Sequence, residues 1–511
     1  MRSRWEDAEA RAFVDRYGEE HGATLAHRVY SSRLLGSDPG LVLHGGGNTS
    51  AKDARADLFG EVRQVLFVKG SGWDLASIEP AGLPALDLEG LRRLQALDEL
   101  DDQQMVNQLR RHLHDANAPN PSVETLLHAF LPHRFVDHSH ADAVLACSNL
   151  PDGPERCLQI FGARVAALPF VMPGFPLAKA VAAACAEQPG VEGVLLHQHG
   201  LFTFGADARE SYERHVALVD LAERALTAGA RPKVRMPVEL DAARARASAL
   251  APLLRGALAR SAGEAAPAAQ AGGDAPTQRL LLEWREDAGL LPLLDDAELA
   301  PSLLGPPPTP DHAIRTKPWP CWIDVDWRAD AAKQRAQVEA ALAGYVDAYR
   351  AYFARGVAAR GPRQALDPAP RVLLVPGCGL FAAGESVAAC GVAADLAQRT
   401  LQAKAAGRSL GPFAGLGELD NARVGAWVLD PAVRAAFHLV SSAGEALQRS
   451  AFLAWLRERA KSDEKQGHQF AKLYLEHSKA LVVEAVPFAP KECSVENELP
   501  EPEEADLEDL L

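Results

Sequence analysis

Val136-Asp137-His138-Ser139-His140 is the stretch on which the reading of this chain turns. In a strand, residues i and i+2 face the same way, so the two imidazoles reach one ion. A second apolar run, Leu195-Leu196-His197-Gln198-His199-Gly200-Leu201-Phe202, reads as another strand entering a glycine turn. It offers a third imidazole, and on spacing alone either His197 or His199 fits. Three neutral imidazoles with one open position make a catalytic zinc site, whereas a structural zinc site is closed by four protein ligands. The plainer alternative is two unrelated strand ends that carry histidine for solubility.

The sequence before this pair supplies other chemistry. Leu41-Val42-Leu43-His44-Gly45-Gly46-Gly47-Asn48-Thr49-Ser50 reads as a short apolar strand running into glycines and small polar residues. Glycines let a backbone approach a ligand closely, and consecutive N–H groups form an anion nest. An ordinary hairpin loop is the competing reading, and no Gly-Lys-Ser/Thr follows to make a P-loop. Val65-Leu66-Phe67-Val68-Lys69-Gly70-Ser71-Gly72 is a second strand into a Gly/Ser turn, able to complete a phosphate pocket. Asn120-Pro121-Ser122-Val123-Glu124-Thr125 opens a helix with Ser122 as its N-cap. Glu124 in its first turn is either a dipole-complementing carboxylate or a proton carrier beside a metal-bound substrate.

The bulk properties narrow the class of function. At 511 residues, 48% of them hydrophobic, the chain has room for about two to four domains. A formal charge of −15 argues against nucleic acid or an anionic membrane as partner. The seven cysteines are scattered, without Cys-x-x-Cys, as in a cytoplasmic protein with reduced thiols. The charged N-terminus lacks the apolar core of a signal peptide, and no apolar run is long enough for a membrane span.

The element order is mixed. Residues 5–35 and 87–113 read as helices, 138–146 as a strand, and 208–228 as a helix capped by Asp207. These patterns predict an α/β catalytic domain over residues 1–245, followed by an Ala/Gly/Pro-rich linker over 246–277. Residues 421–493 read as a helical region and 494–511 as an acidic, disordered tail. Between them, residues 278–420 hold an echo of the first half. Leu373-Leu374-Val375-Pro376-Gly377-Cys378-Gly379-Leu380-Phe381 repeats the pattern around His199, with Cys378 in the histidine's place. No His-x-His precedes it, so this segment reads as a degenerate, structural copy, its cysteine a buried thiol.

Taken together, Gly47-Asn48, Ser71-Gly72, Ser122, Glu124, His138, His140 and His199 resemble, in their order, the class II aldolase/adducin family. The longer pattern, with Thr309-Pro310-Asp311-His312-Ala313-Ile314-Arg315-Thr316-Lys317, is similar to the aldolase part of bifunctional rhamnulose-1-phosphate aldolase/alcohol dehydrogenases. No dinucleotide fingerprint follows residue 420, so a dehydrogenase part is not expected. The resemblance implies a three-layer α/β/α fold and a zinc-dependent aldolase acting on a small sugar phosphate, assembled as a homo-oligomer. It implies one zinc per chain on His138, His140 and His199, held by the first half alone, with Glu124 as acid/base. It implies that Gly47, Asn48, Ser71, Gly72 and Ser122 line the phosphate pocket. Val123 stands where family sugar-phosphate aldolases often carry a second serine, so one phosphate contact is missing. Other readings are a pentulose-phosphate 4-epimerase or sugar-phosphate dehydratase of the same family, and an adducin-like structural protein.

Overall fold

A computed structural model describes residues 1–229, 240–263, 280–361 and 367–417. Two helices, Asp7–His21 and Ala23–Gly36, open the chain, broken at Gly22, whose φ is 81°. A seven-stranded sheet follows. Its strands are β1 (Asn48–Ala56), β2 (Val62–Val68), β3 (Ala85–Asp87), β4 (Phe135–Ser139), β5 (Val165–Leu168), β6 (Gly193–Leu196) and β7 (Gly200–Gly205). They run in the spatial order β3-β2-β1-β4-β7-β6-β5, and only the β5–β6 pair is parallel.

Helices cover both faces of the sheet, and β6 and β7, buried along their whole length, read as continuous apolar runs. Leu66, Val68, Val136, Val194, Leu196, Phe202 and Phe204 pack on one side against Leu126 and Leu127 and against Phe175, Leu177 and Val181 of the helix Phe175–Glu187. On the other side Val65 and Phe67 meet Leu25 and Val29, while Leu195 and Leu201 meet Val144, Tyr212 and Val219. This is the three-layer α/β/α arrangement that the sequence implies.

The strand β4 is pinned from behind. Asp137 and Ser139 face away from His138, as period-two alternation requires. Asp137 pairs with Arg28, both fully buried, and accepts from the Ser211 hydroxyl at 2.5 Å. Ser139 meets His215 Nε2 at 2.6 Å, and the other ring nitrogen of His215 reaches Thr203 at 2.8 Å.

The second half builds a smaller sheet from β8 (Leu281–Arg285), β9 (Cys321–Trp322), β10 (Val372–Val375) and β11 (Gly379–Gly384), in the order β8-β11-β10-β9. The pairing senses repeat those of β4-β7-β6-β5, with one parallel pair at the same edge. Each central hairpin is followed by a long helix, Ala208–Gly229 or Val387–Gly407. The second half is therefore a four-stranded copy of the first. Register fixes the correspondence. Phe202 pairs with His138, and the equivalent Phe381 pairs with Trp284. Trp284 thus stands in the place of His138, and Cys378 in that of His199. Cys378 is buried, and Trp284 Nε1 donates to its carbonyl at 3.1 Å.

Several local expectations give way. Residues 41–43 form no strand, because turn bonds from Leu41 and Val42 to the Asp38 carbonyl use the backbone groups that a sheet needs. The helix expected over residues 87–113 is interrupted, since Asp101 with Gln104 forms a capping box that starts a new helix, Asp102–Arg111. The strand expected over 138–146 stops at Ser139, and Asp142–Ser148 is a buried helix. A short apolar run carries no period that separates the two. Residues 246–263 of the expected linker belong to the helix Leu240–Gly263, whose Ala247, Leu250, Leu254 and Leu258 bury one stripe against Val338, Leu342 and Tyr345. The C-terminal helical region and acidic tail lie outside the described residues. Among the described residues, no helix is long and apolar enough to cross a membrane.

Candidate metal centre

His138 sits near the end of β4, with Asn48 of β1 on one side and Phe202 of β7 on the other. Its ring stacks on Phe202, with centroids 3.9 Å apart. His140 follows two residues later on the same face. His199 comes from the β6–β7 turn, where Gln198 takes a φ of 56° and Gly200 closes against β4. A Cβ on Gly200 would collide with the Ser139 carbonyl oxygen, so only glycine lets this turn bring His199 up to the His-x-His pair. Gly47 does the same from the opposite side: its φ is 62°, and a Cβ there would lie 2.7 Å from the His138 carbonyl oxygen.

The nitrogens of the three rings converge within 4.8 Å of one another. His138 Nε2 and His140 Nε2 lie 3.1 Å apart. Two nitrogens bound to one tetrahedral zinc at about 2.0–2.1 Å lie roughly 3.3 Å from each other, so the pair is spaced for one ion. His138 Nδ1 meets the Leu201 carbonyl at 3.1 Å and is assigned the proton, which turns the Nε2 lone pair into the site. Burial pushes the His138 pKa well below that of an ordinary imidazole, so the ring is neutral near pH 7. His197 is excluded: its ring lies against Gly153, away from the cluster.

Glu124 closes the remaining side. Its Oε2 lies 3.4 Å from His138 Nε2, and its Oε1 lies 3.2 Å from His199 Nε2. The helix begins one residue later, at Thr125, and the Glu124 side chain makes no capping hydrogen bond. Ser122 accepts from the Glu124 N–H at 3.3 Å, so its hydroxyl holds the turn before the helix and does not cap the helix itself. Burial pushes the Glu124 carboxyl up, but the His199 ring and the Asn48 amide outweigh it and hold the group well below the usual carboxylate range.

A hydrogen-bonded chain fixes this carboxylate. Asn48 Nδ2 donates to Glu124 Oε2 at 2.6 Å and to Ser122 Oγ at 3.2 Å. A carboxylate only accepts, so the Asn48 amide is oriented with its oxygen toward His128 Nε2, which carries the proton. His128 Nδ1 then accepts from the Ser50 hydroxyl at 2.7 Å. Burial pushes the pKa of His128 down to about 3, which keeps it neutral in this role. The link of His128 to Asn48 depends on the register of β1.

The site has two features that a cation satisfies. The His138 Nε2 lone pair faces a carboxylate oxygen, and the buried Glu124 Oε1 has no well-aligned hydrogen-bond partner. The donor set of three imidazoles bordered by a carboxylate fits zinc.

The expected phosphate residues gather beside this centre. Gly70 bridges to Pro121, which brings the Ser71-Gly72 turn against Ser122, and Ser71 N–H donates to the Asn120 carbonyl at 2.7 Å. Lys69 Nζ crosses to the Gly45 carbonyl at 2.7 Å. Burial lowers its pKa to about 8, which leaves it mostly charged at neutral pH. Of these residues, Asn48 is committed to the carboxylate and Gly47 to close packing.

The second half also reaches the centre. Asp311 Oδ2 lies 3.6 Å from His140 Nδ1, and His140, Asp311 and His312 form a second potential ligand group that shares His140. The Asp-His pair was visible in sequence, but nothing local tied it to residues so distant in the chain.

This fold and its histidine–carboxylate cluster define a class II aldolase-type domain backed by a second copy. Residues 26–226 match the class II aldolase and adducin N-terminal domain, and residues 245–432 match the aldolase class II second domain. The chain belongs to the class II aldolase/adducin family. A Bacillus subtilis (strain 168) protein, described as the uncharacterized oxidoreductase YuxG, is 32% identical over 411 residues, which cover 79% of this chain and 57% of that protein. The chain thus spans under two thirds of that relative's length. Among solved structures, the N-terminal class II aldolase domain of a conserved Thermoplasma acidophilum protein is 39% identical, with a TM-score of 0.40, covering 44% of this chain and 99% of that one. The L-fuculose-1-phosphate aldolase of Thermus thermophilus is 22% identical, with a TM-score of 0.26, covering 40% and 95%.

Proposed function

We propose that this chain is a zinc-dependent class II aldolase that cleaves a ketose 1-phosphate of the rhamnulose-1-phosphate kind to dihydroxyacetone phosphate and an aldehyde. The observation that carries the reading is the meeting of Glu124 with His138 and His199 at 3.4 and 3.2 Å, beside the His138–His140 pair. His138, His140 and His199 would hold the ion. When bound, zinc supplies Lewis-acid stabilisation of the negative charge that develops on the substrate oxygens as the C3–C4 bond breaks.

The protein's own groups do the rest. As the C3–C4 bond breaks, the C4 hydroxyl loses its proton to become the aldehyde, and Glu124 Oε1, the oxygen without an aligned donor, takes up a proton and returns it to C3; in the addition direction it removes the C3 proton and the new C4 oxygen gains one. Asn48 holds Oε2 and thereby aims Oε1. Lys69 and the Ser71-Gly72 and Ser122 turns offer a cation and small polar groups for the phosphate, one contact short because residue 123 is valine. Oxygen-rich recognition of this kind suits a soluble sugar phosphate. The intact histidine set speaks against an adducin-like structural role.

The test incubates the full chain with rhamnulose 1-phosphate, fuculose 1-phosphate and ribulose 5-phosphate, with and without a chelator. Dihydroxyacetone phosphate appearing from a ketose 1-phosphate, and lost on chelation, is the expected result. An epimerised pentulose phosphate without cleavage would move the chain to the epimerases, and no turnover of any sugar phosphate would favour the structural role.

A further inference from the structure

The second half has lost the residues that would make a metal site of its own, yet one short segment of it stands against the first half's histidines. Thr309 caps the helix Pro310–Thr316: its hydroxyl oxygen accepts from the His312 N–H at 3.2 Å and meets His312 Nδ1 at 2.7 Å. Both side chains are buried. Asn149, in the first half, donates to the Pro308 carbonyl at 2.8 Å and ties the segment down. His44 Nε2 meets Asp395 at 2.9 Å, and Arg399 pairs with Asp142. Gln198, beside His199, donates to the Gly415 carbonyl at 2.7 Å. Both loops of the centre are thus fastened to the second half.

We propose that Asp311 is a positioning residue for His140, so that the metal centre is completed by the second half. This rests on the metal reading given above. His140 presents Nε2 to the centre and Nδ1 to Asp311 Oδ2, 3.6 Å away. A small rotation of the carboxylate closes that gap to a hydrogen bond. Metal-bound imidazoles characteristically donate their other N–H to a carboxylate, carbonyl or water, which fixes the ring and raises its basicity as a ligand. His138 obtains this from the Leu201 carbonyl of its own sheet. His140 lies beyond the end of β4, where Ser139 is the last residue paired with a neighbouring strand, and its facing group is Asp311. Gly46 leaves the passage open: a Cβ there would lie 3.0 Å from Asp311 Oδ2 and 3.5 Å from His140 Nδ1. This glycine of the loop thus admits a carboxylate from far along the chain.

The experiment uses the full chain, stripped of metal and titrated with zinc against a chromophoric chelator, then loaded with cobalt(II) for its visible spectrum. Asp311→Asn is expected to bind one zinc with roughly 10–100-fold weaker affinity, with an altered cobalt band and an unchanged thermal midpoint in the metal-free form. Gly46→Ala, which keeps the carboxylate but crowds it, is expected to weaken zinc in the same direction and serves where Asp311→Asn fails to fold. Wild-type affinity and cobalt spectrum in both variants would overturn the proposal. So would two metals bound per wild-type chain with one lost in Asp311→Asn, which would make Asp311 a ligand. A wild-type chain that binds no zinc would remove the metal reading itself, an outcome distinct from unchanged affinity.

Discussion

Glu124 and His199 meet at 3.2 Å, Oε1 to Nε2, although one begins a helix and the other lies in a hairpin turn of the sheet. That contact separates two roles for Glu124, because its carboxylate is spent on the histidines and Asn48 and none of it on the helix terminus.

Glu124→Gln therefore tests catalysis directly. Glutamine keeps the shape and the bond to Asn48 but cannot carry the proton. The cleavage rate should fall about 10²–10⁴-fold with zinc content and folding intact. Turnover retained in a zinc-loaded Glu124→Gln protein would refute the proton-transfer role.

His138→Ala should abolish stoichiometric zinc. It removes one of three ligands and the ring stacked on Phe202. In the wild type, zinc at a thousandfold its Kd adds about 4 kcal/mol to stability, seen as a metal-dependent rise in thermal midpoint. The variant should lose that rise. A midpoint that still responds to zinc to the same extent would place the metal elsewhere.

Cys378→Ser probes the degenerate hairpin. Burial raises the thiol to about 12, so it is a neutral packing group at physiological pH. A hydroxyl in its place should cost about 1–2 kcal/mol in denaturant unfolding and leave turnover near wild type. A large loss of turnover in a well-folded variant would give the hairpin a part in the chemistry.

Lys52 gives a pH prediction. Its Nζ donates to the His133 carbonyl at 2.6 Å, and burial lowers its pKa from 10.5 to about 7. Between those values the unfolded chain binds more protons than the folded one, so stability rises with pH across this window. The contribution is complete above the unfolded value and is lost as pH falls through about 7. Lys52→Met removes it. Between about pH 8 and pH 10, the variant's unfolding free energy should rise less steeply than wild type, by up to about 1.4 kcal/mol per pH unit. Parallel slopes would show that the amine stays charged in the folded protein.

The sequence by itself determined the chemistry of the ligands and the repeated hairpin. His138 and His140 are two apart, a strand has a period of two, and their common face follows without any tertiary information. The glycine after His199 and the matching Gly-Leu-Phe around Cys378 likewise report local backbone demands. Tertiary structure alone decided what lies opposite each group. Spacing leaves His197 and His199 open and the family resemblance points to His199; the fold agrees with the latter, because the turn at Gln198 swings its ring to β4 and that of His197 toward Gly153. The fold gave Glu124 to the centre through the β1 register that sets Asn48 against His138. It brought Asp311 to His140 by packing one half of the chain on the other. Periodicity fixes the direction of a side chain relative to its own element, whereas contacts between distant elements depend on how whole buried faces pack together.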